Sequence, residues 1–167
     1  MRIDDSGWND RVLAVLLQPF LEQADLDYWV HTEEIESVMI QYQNDATHAV
    51  PFAAIWQRAI FLRKRRAKAK NEDILLAKVK AGAPPKKKIP PHLGEAQYHL
   101  LCALYRKYGI PTDQLPWRDE FFLLHAEFNA RGNNAWSLRE LAWAISNLRR
   151  SGRLPRVTAR KVQQGAL

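Results

Sequence analysis

The chain has 167 residues, 47% of them apolar and 10% aromatic, and carries a formal net charge of +7. That length suits one domain or two small ones, and rings spread from Trp8 to Trp143 argue against a disordered chain, which is poor in aromatics. A single cysteine, Cys102, excludes an internal disulfide and a thiolate-rich zinc site; the acidic start lacks the apolar core of a signal peptide, and runs such as VLAVLL (12–17) are too short to cross a bilayer, so the expectation is a cytoplasmic protein that avoids the membrane.

The first predicted helix runs from Trp8 to Gln23, with Trp8, Val12, Val15, Leu16, Phe20 and Leu21 as its apolar stripe. A second begins at Thr32, whose hydroxyl can cap it. Glu33, Glu34 and Glu36 fall in its first turn, where the helix dipole favours negative charge. Ile35, Val38, Met39 and Tyr42 make its stripe, and NDATH (44–48) breaks it. Pro51 suits the first turn of a third helix, carried on by Phe52, Ile55, Trp56, Ala59 and Ile60. Alanine, arginine and lysine favour helix, so RKRRAKAK (63–70) extends it; NEDILLAKVKAG either prolongs it or starts a short new one.

GAPPKKKIPP (82–91) then interrupts the chain, because prolines cannot occupy a helix interior and push their preceding residues to extended geometry. The expected organisation is an N-terminal helical part (1–81), a Pro/Lys-rich linker (82–92) and a C-terminal helical part (93–167). The second part opens with a helix over Glu95–Tyr108, packed through Tyr98, Leu101, Cys102, Leu104 and Tyr105 and ended by Gly109. Another spans Trp117–Arg131, with Phe121, Leu124, His125 and Phe128 inward, until GNN (132–134) stops it. Ser137 and Glu140 form an S-x-x-E capping box for the last helix, in which Leu138, Leu141, Ile145 and Leu148 recur at helical spacing up to Gly152. The tail RLPRVTARKVQQGAL reads as one or two short strands or as loose chain. The fold class is all-α: six helices in two small parts, with room for a short C-terminal wing.

No phosphate-cradling loop or nucleophile elbow occurs. His125-Ala126-Glu127 matches the H-x-E of zinc deaminases, but the downstream P-C-x-x-C is missing, so His125 reads as a half-buried helix histidine. His99 and Cys102 lie one helical turn apart without a second pair of ligands, and Asp119 with Glu120 complements a helix dipole. Neither a catalytic residue, a metal site nor a cofactor is expected.

Charge is the informative feature. Residues 1–45 balance at −8 and residues 46–167 at +15. The basic residues gather in three groups. The first is Arg63, Lys64, Arg65, Arg66, Lys68 and Lys70, and the second Lys78, Lys80, Lys86, Lys87 and Lys88. The third is Arg149, Arg150, Arg153, Arg156, Arg160 and Lys161, with no acid among them. Like charges one helical turn apart repel by some tenths of a kcal/mol. Phosphates would relieve that repulsion and release counterions. The competing reading is a solvated surface, or one that folds against the acidic first 45 residues.

SLRELAWAISNLRRSGRLPRV (137–157) resembles the end of a winged helix-turn-helix domain, matched at Ser137, Leu141, Ile145, Leu148, Gly152, Leu154 and Val157, with the two preceding helices supplying the rest. The resemblance implies that Arg139, Ser146, Asn147 and Arg150 face a groove while Arg153 and Arg156 meet the backbone. The sequence thus points to a non-catalytic nucleic-acid-binding accessory protein, duplex DNA favoured over RNA. A protein partner could meet the acidic segment 1–45. The alternative is an adaptor or small subunit of a larger assembly.

Overall fold

The structure, a computed structural model, describes residues 8–21, 26–45, 50–66 and 93–157, the side chains of 64–66 excepted. Its elements are α1 (Asp10–Leu21), a 3-10 turn (Leu26–Tyr28), α2 (Glu33–Asp45), α3 (Phe52–Arg66), α4 (Glu95–Tyr108), α5 (Asp119–Gly132) and α6 (Leu138–Arg150). The protein is all-helical, and no strand occurs among the described residues. The tail stays irregular through Val157; the stretch 158–167, like the linker 82–92, lies outside the described residues. The chain divides into two compact units, Met1–Ile89 and Pro90–Leu167.

In the first unit α1 packs on both α2 and α3. The α1 helix starts at Asp10 because Asn9 caps it: the Val12 N–H donates to Asn9 Oδ1 at 3.2 Å and the Leu13 N–H to the Asn9 carbonyl at 3.0 Å. The Asn9 N–H in turn donates to the Tyr42 hydroxyl of α2 at 3.0 Å. The inward face of α1 is Leu13 and Leu17, whereas Val15, expected inside, is 67% exposed. The reason is that VLAVLL is apolar on almost every side, so spacing alone does not fix its rotation. Asp10 fixes it: its carboxylate takes both Arg58 Nε and Nη2 of α3 at 2.7 Å, and Leu13 and Leu17 follow on that side at i+3 and i+7.

The chain then turns through Leu26–Tyr28, a feature without a sequence signal. Trp29 seals it, its indole N–H donating to the Phe20 carbonyl at 3.1 Å. Thr32 caps α2 through a 3.3 Å bond from the Ile35 N–H, and Ile35, Val38, Met39 and Tyr42 are the buried side as expected. From α3, Ile55, Trp56, Ala59, Ile60 and Leu62 complete the core.

In the second unit α4 packs on α5, and α5 on α6. Gly109 ends α4 in the left-handed conformation, φ 65°, its N–H donating to the Tyr105 carbonyl at 3.0 Å. The α5 helix begins at Asp119, two residues later than the sequence suggests, because Trp117 is left-handed (φ 58°) and Arg118 is extended. Asn133 closes α5 with φ 49°, a conformation asparagine tolerates. The Ser137–Glu140 capping box forms: the Glu140 N–H donates to Ser137 Oγ at 3.2 Å and the Ser137 N–H to Glu140 Oε2 at 2.7 Å. Leu101, Leu104, Phe121, Leu124, Phe128, Leu141 and Ile145 are the centre of this core.

Candidate nucleic-acid interface

The loop between α5 and α6 sets how α6 is presented. Asn129, near the end of α5, clamps the backbone of Trp136 with both ends of its amide. The Trp136 N–H donates to Asn129 Oδ1 at 3.1 Å, and Asn129 Nδ2 donates to the Trp136 carbonyl at 2.9 Å. His125 Nε2 lies 2.6 Å from the same carbonyl, so a proton on that nitrogen completes the clamp. His125 is therefore a loop-holding residue, half-buried as the sequence suggests. Asn134 adds a third tie by donating to the Phe128 carbonyl at 3.3 Å while accepting from Gln97 of α4. Gly132 is required here: a Cβ would fall 2.1 Å from Asn134 Nδ2.

So held, α6 buries Leu141, Ala142, Ala144, Ile145, Ser146 and Leu148. The remaining edge carries Arg139, Trp143, Asn147 and Arg150, at successive intervals of four, four and three residues. Ser146, expected at a groove, is instead 4% exposed, because it shares the side of Ala142 rather than that of Asn147. Trp143 was not singled out from the sequence; its partial exposure at i+4 from Arg139 and i−4 from Asn147 was the available signal. The Arg150 guanidinium lies 5.5 Å from the Trp143 ring centre, which holds the arginine along the edge.

Beyond α6 the chain turns back through Ser151 and Gly152, and Arg153 meets Tyr98 of α4. The Tyr98 hydroxyl donates to the Arg153 carbonyl at 2.8 Å, and the Arg153 guanidinium lies 4.7 Å over the Tyr98 ring. Arg149, Arg150, Arg153 and Arg156 are all exposed. Arg149 also stands near Tyr105: burial pushes that hydroxyl's pKa up, and the Arg149 charge pulls the other way. Glu140, the one acid of 137–157, is bound in the capping box. The structure thus brings Arg139, Arg149, Arg150, Arg153 and Arg156 together on α6 and the turn after it; Arg160 and Lys161 lie outside the described residues.

The basic run of the first unit is differently placed. Arg63 is half-buried and pairs with Asp27 at 3.6 Å. It serves the fold of its own unit, as Arg58 does with Asp10 at 2.7 Å. Two acids of the first 45 residues thus face the α3 helix. Lys64, Arg65 and Arg66 continue the helical backbone of α3, while Lys68, Lys70 and the second lysine group lie outside the described residues.

His99 is exposed beside Glu95, 3.8 Å away, whereas Cys102 is buried. No group of three or more potential metal ligands occurs among the described residues. Among them, too, no helix is long and apolar enough to cross a membrane. No family model matches the chain, no curated protein matches its sequence, and no solved structure matches its fold.

Proposed function

We propose that the protein is a non-catalytic nucleic-acid-binding accessory factor that favours duplex DNA and uses α6 with the arginine turn after it. The observation that carries this reading is the edge Arg139–Trp143–Asn147–Arg150, flanked by Arg149, Arg153 and Arg156, with the only nearby acid engaged in a cap. From Arg139 to Arg150 the helix rises about 16 Å, the length of roughly five base-pair steps. Arginine and asparagine are the side chains that read guanine and adenine edges in a major groove, and a wide major groove belongs to B-form DNA rather than to A-form RNA. The resemblance to winged helix-turn-helix domains supports the same docking, with α6 in the groove and Arg153 and Arg156 on phosphates. Lys64, Arg65 and Arg66 on α3 would add phosphate contacts without reading bases.

Fluorescence anisotropy with random duplex DNA, single strands and duplex RNA, across a salt series, tests the reading. Duplex DNA should bind best. Changing Arg150, Arg153 and Arg156 together to Ala should make the slope of log affinity against log salt shallower by up to about 3, since each lost phosphate contact removes about 0.9. Absence of binding to every nucleic acid at low salt would refute it and leave the adaptor reading in its place.

A further inference from the structure

The second unit has an outward face that its core leaves uncovered. On α5, Asp119, Leu123, Ala126 and Ala130 are all exposed, and Phe122 is exposed beside them. At 3.6 residues per turn the first four fall within a strip about 60° wide. Phe121, Leu124 and Phe128 occupy the opposite, buried side. Leu123 is 56% and Phe122 40% exposed, two large apolar groups where a surface helix ordinarily carries charge.

The strip is ordered along its length. Its N-terminal half holds the acid Asp119 and the large Leu123 and Phe122. Its C-terminal half holds the small Ala126 and Ala130, bordered by the exposed base Arg131, which binds Glu127 at 3.1 Å. A two-fold axis through the middle of α5 exchanges these halves. It sets Leu123 of one copy on Ala126 of the other, and Asp119 on Ala130 beside Arg131. Large then meets small and acid meets base, twice over, which is the self-complementarity that a closed two-fold contact requires.

We propose that a second copy of this chain covers this face, α5 against α5, antiparallel and centred between Leu123 and Ala126. The strip is smaller than the roughly 800 Å² per partner of a standard interface, so the pairing is of moderate affinity and visible in a concentration series. It does not depend on nucleic acid.

Sedimentation velocity on the full chain, from about 1 to 300 μM and without nucleic acid, tests it over the range of a micromolar dimer. The wild type should pass from monomer to dimer as concentration rises. Leu123→Glu and, separately, Ala126→Arg should stay monomeric throughout, with unchanged helicity and melting temperature because both sites are exposed. Asp119→Arg alone and Arg131→Asp alone should weaken the dimer, and the two together should restore it. A wild type that remains monomeric across the range overturns the proposal, as does a dimer that Leu123→Glu leaves intact. Failure of the double charge reversal to restore what either single change weakens overturns the antiparallel register.

Discussion

Tyr98 and Arg153 hold each other twice: the hydroxyl donates to the Arg153 carbonyl at 2.8 Å, and the Arg153 guanidinium lies 4.7 Å over the same ring. The pair ties the chain leaving α6 to the start of α4, 55 residues away in sequence. Tyr98→Phe keeps the ring and removes the hydroxyl, a loss of about 0.5–1 kcal/mol because the bond is exposed. Tyr98→Ala removes both contacts and should cost about 1–2 kcal/mol more through lost packing. Urea unfolding measures the two steps. On the proposed reading, duplex affinity should fall in the same order, since only Tyr98→Ala frees the arginine turn to leave its place.

The loop before α6 depends on one amide. Asn129 gives a donor and an acceptor to the backbone of Trp136 at 2.9 and 3.1 Å. Asn129→Ala leaves the part-buried Trp136 N–H without that acceptor and should cost about 1–3 kcal/mol. Asn129→Asp preserves the acceptor and turns the donor into a second oxygen facing the Trp136 carbonyl, so it should be no better than Ala. Thermal melts of the three proteins separate the contributions. An Asp variant as stable as wild type would show that the donor side contributes nothing.

Much of this architecture was legible in the sequence because the relevant signals are local. The caps at Thr32 and Ser137, the stop at Gly109 and the inward stripes of α2, α4 and α5 each follow from a few neighbouring residues. What was not legible depends on distant partners. Nothing in VLAVLL says that Val15 points out; that follows from Asp10 finding Arg58 far along the chain. Nothing in RKRRAKAK says that its first arginine is already paired with Asp27. The edge of α6 was read one position off at Ser146 because Trp143 looks, in sequence, like another core aromatic.

Arg63 and Arg58 should therefore behave as folding residues. Arg58 is 7% exposed and bound bidentately by Asp10. Arg58→Ala leaves a partly buried carboxylate alone and should cost about 3 kcal/mol or more, whereas Arg58→Met with Asp10→Leu should recover much of it. Arg63→Ala is a milder case, at about 0.5–1 kcal/mol for a half-exposed pair. Chemical denaturation checks both. The salt slope of nucleic-acid binding should hardly move for Arg63→Ala, and a slope reduced as much as by Arg65→Ala would show that Asp27 releases it.

Glu127 supplies a pH signature. Hydrogen bonds from Lys107, then Tyr108 and Arg131, hold its pKa at about 2 against an ordinary 4.5. A carboxylate whose pKa is lowered by folding stabilises the fold fully above its unfolded value and loses that contribution as pH falls through the folded one. The window here is from 4.5 down to about 2. Wild type should be more stable than Glu127→Gln at pH 7, with the difference constant down to about 4.5 and closing towards 2. Melting curves across that range measure it. A difference that persists at the acid end would mean that shape, not charge, makes the contact.

Ser146 offers the test that runs against the usual direction of mutation. Its side chain is buried within α6, and its hydroxyl has no hydrogen-bond partner in the protein. An unsatisfied buried hydroxyl costs about 1–3 kcal/mol relative to an apolar group of similar shape. Ser146→Ala removes that cost, and alanine is also the stronger helix former by a few tenths of a kcal/mol. The variant should melt several degrees higher, and its duplex affinity should be unchanged because the exposed edge runs through Trp143 and Asn147. A variant that melts lower would show that the hydroxyl is bonded in solution. One that keeps its stability but loses duplex affinity would place Ser146 at the groove after all and turn α6 about its axis.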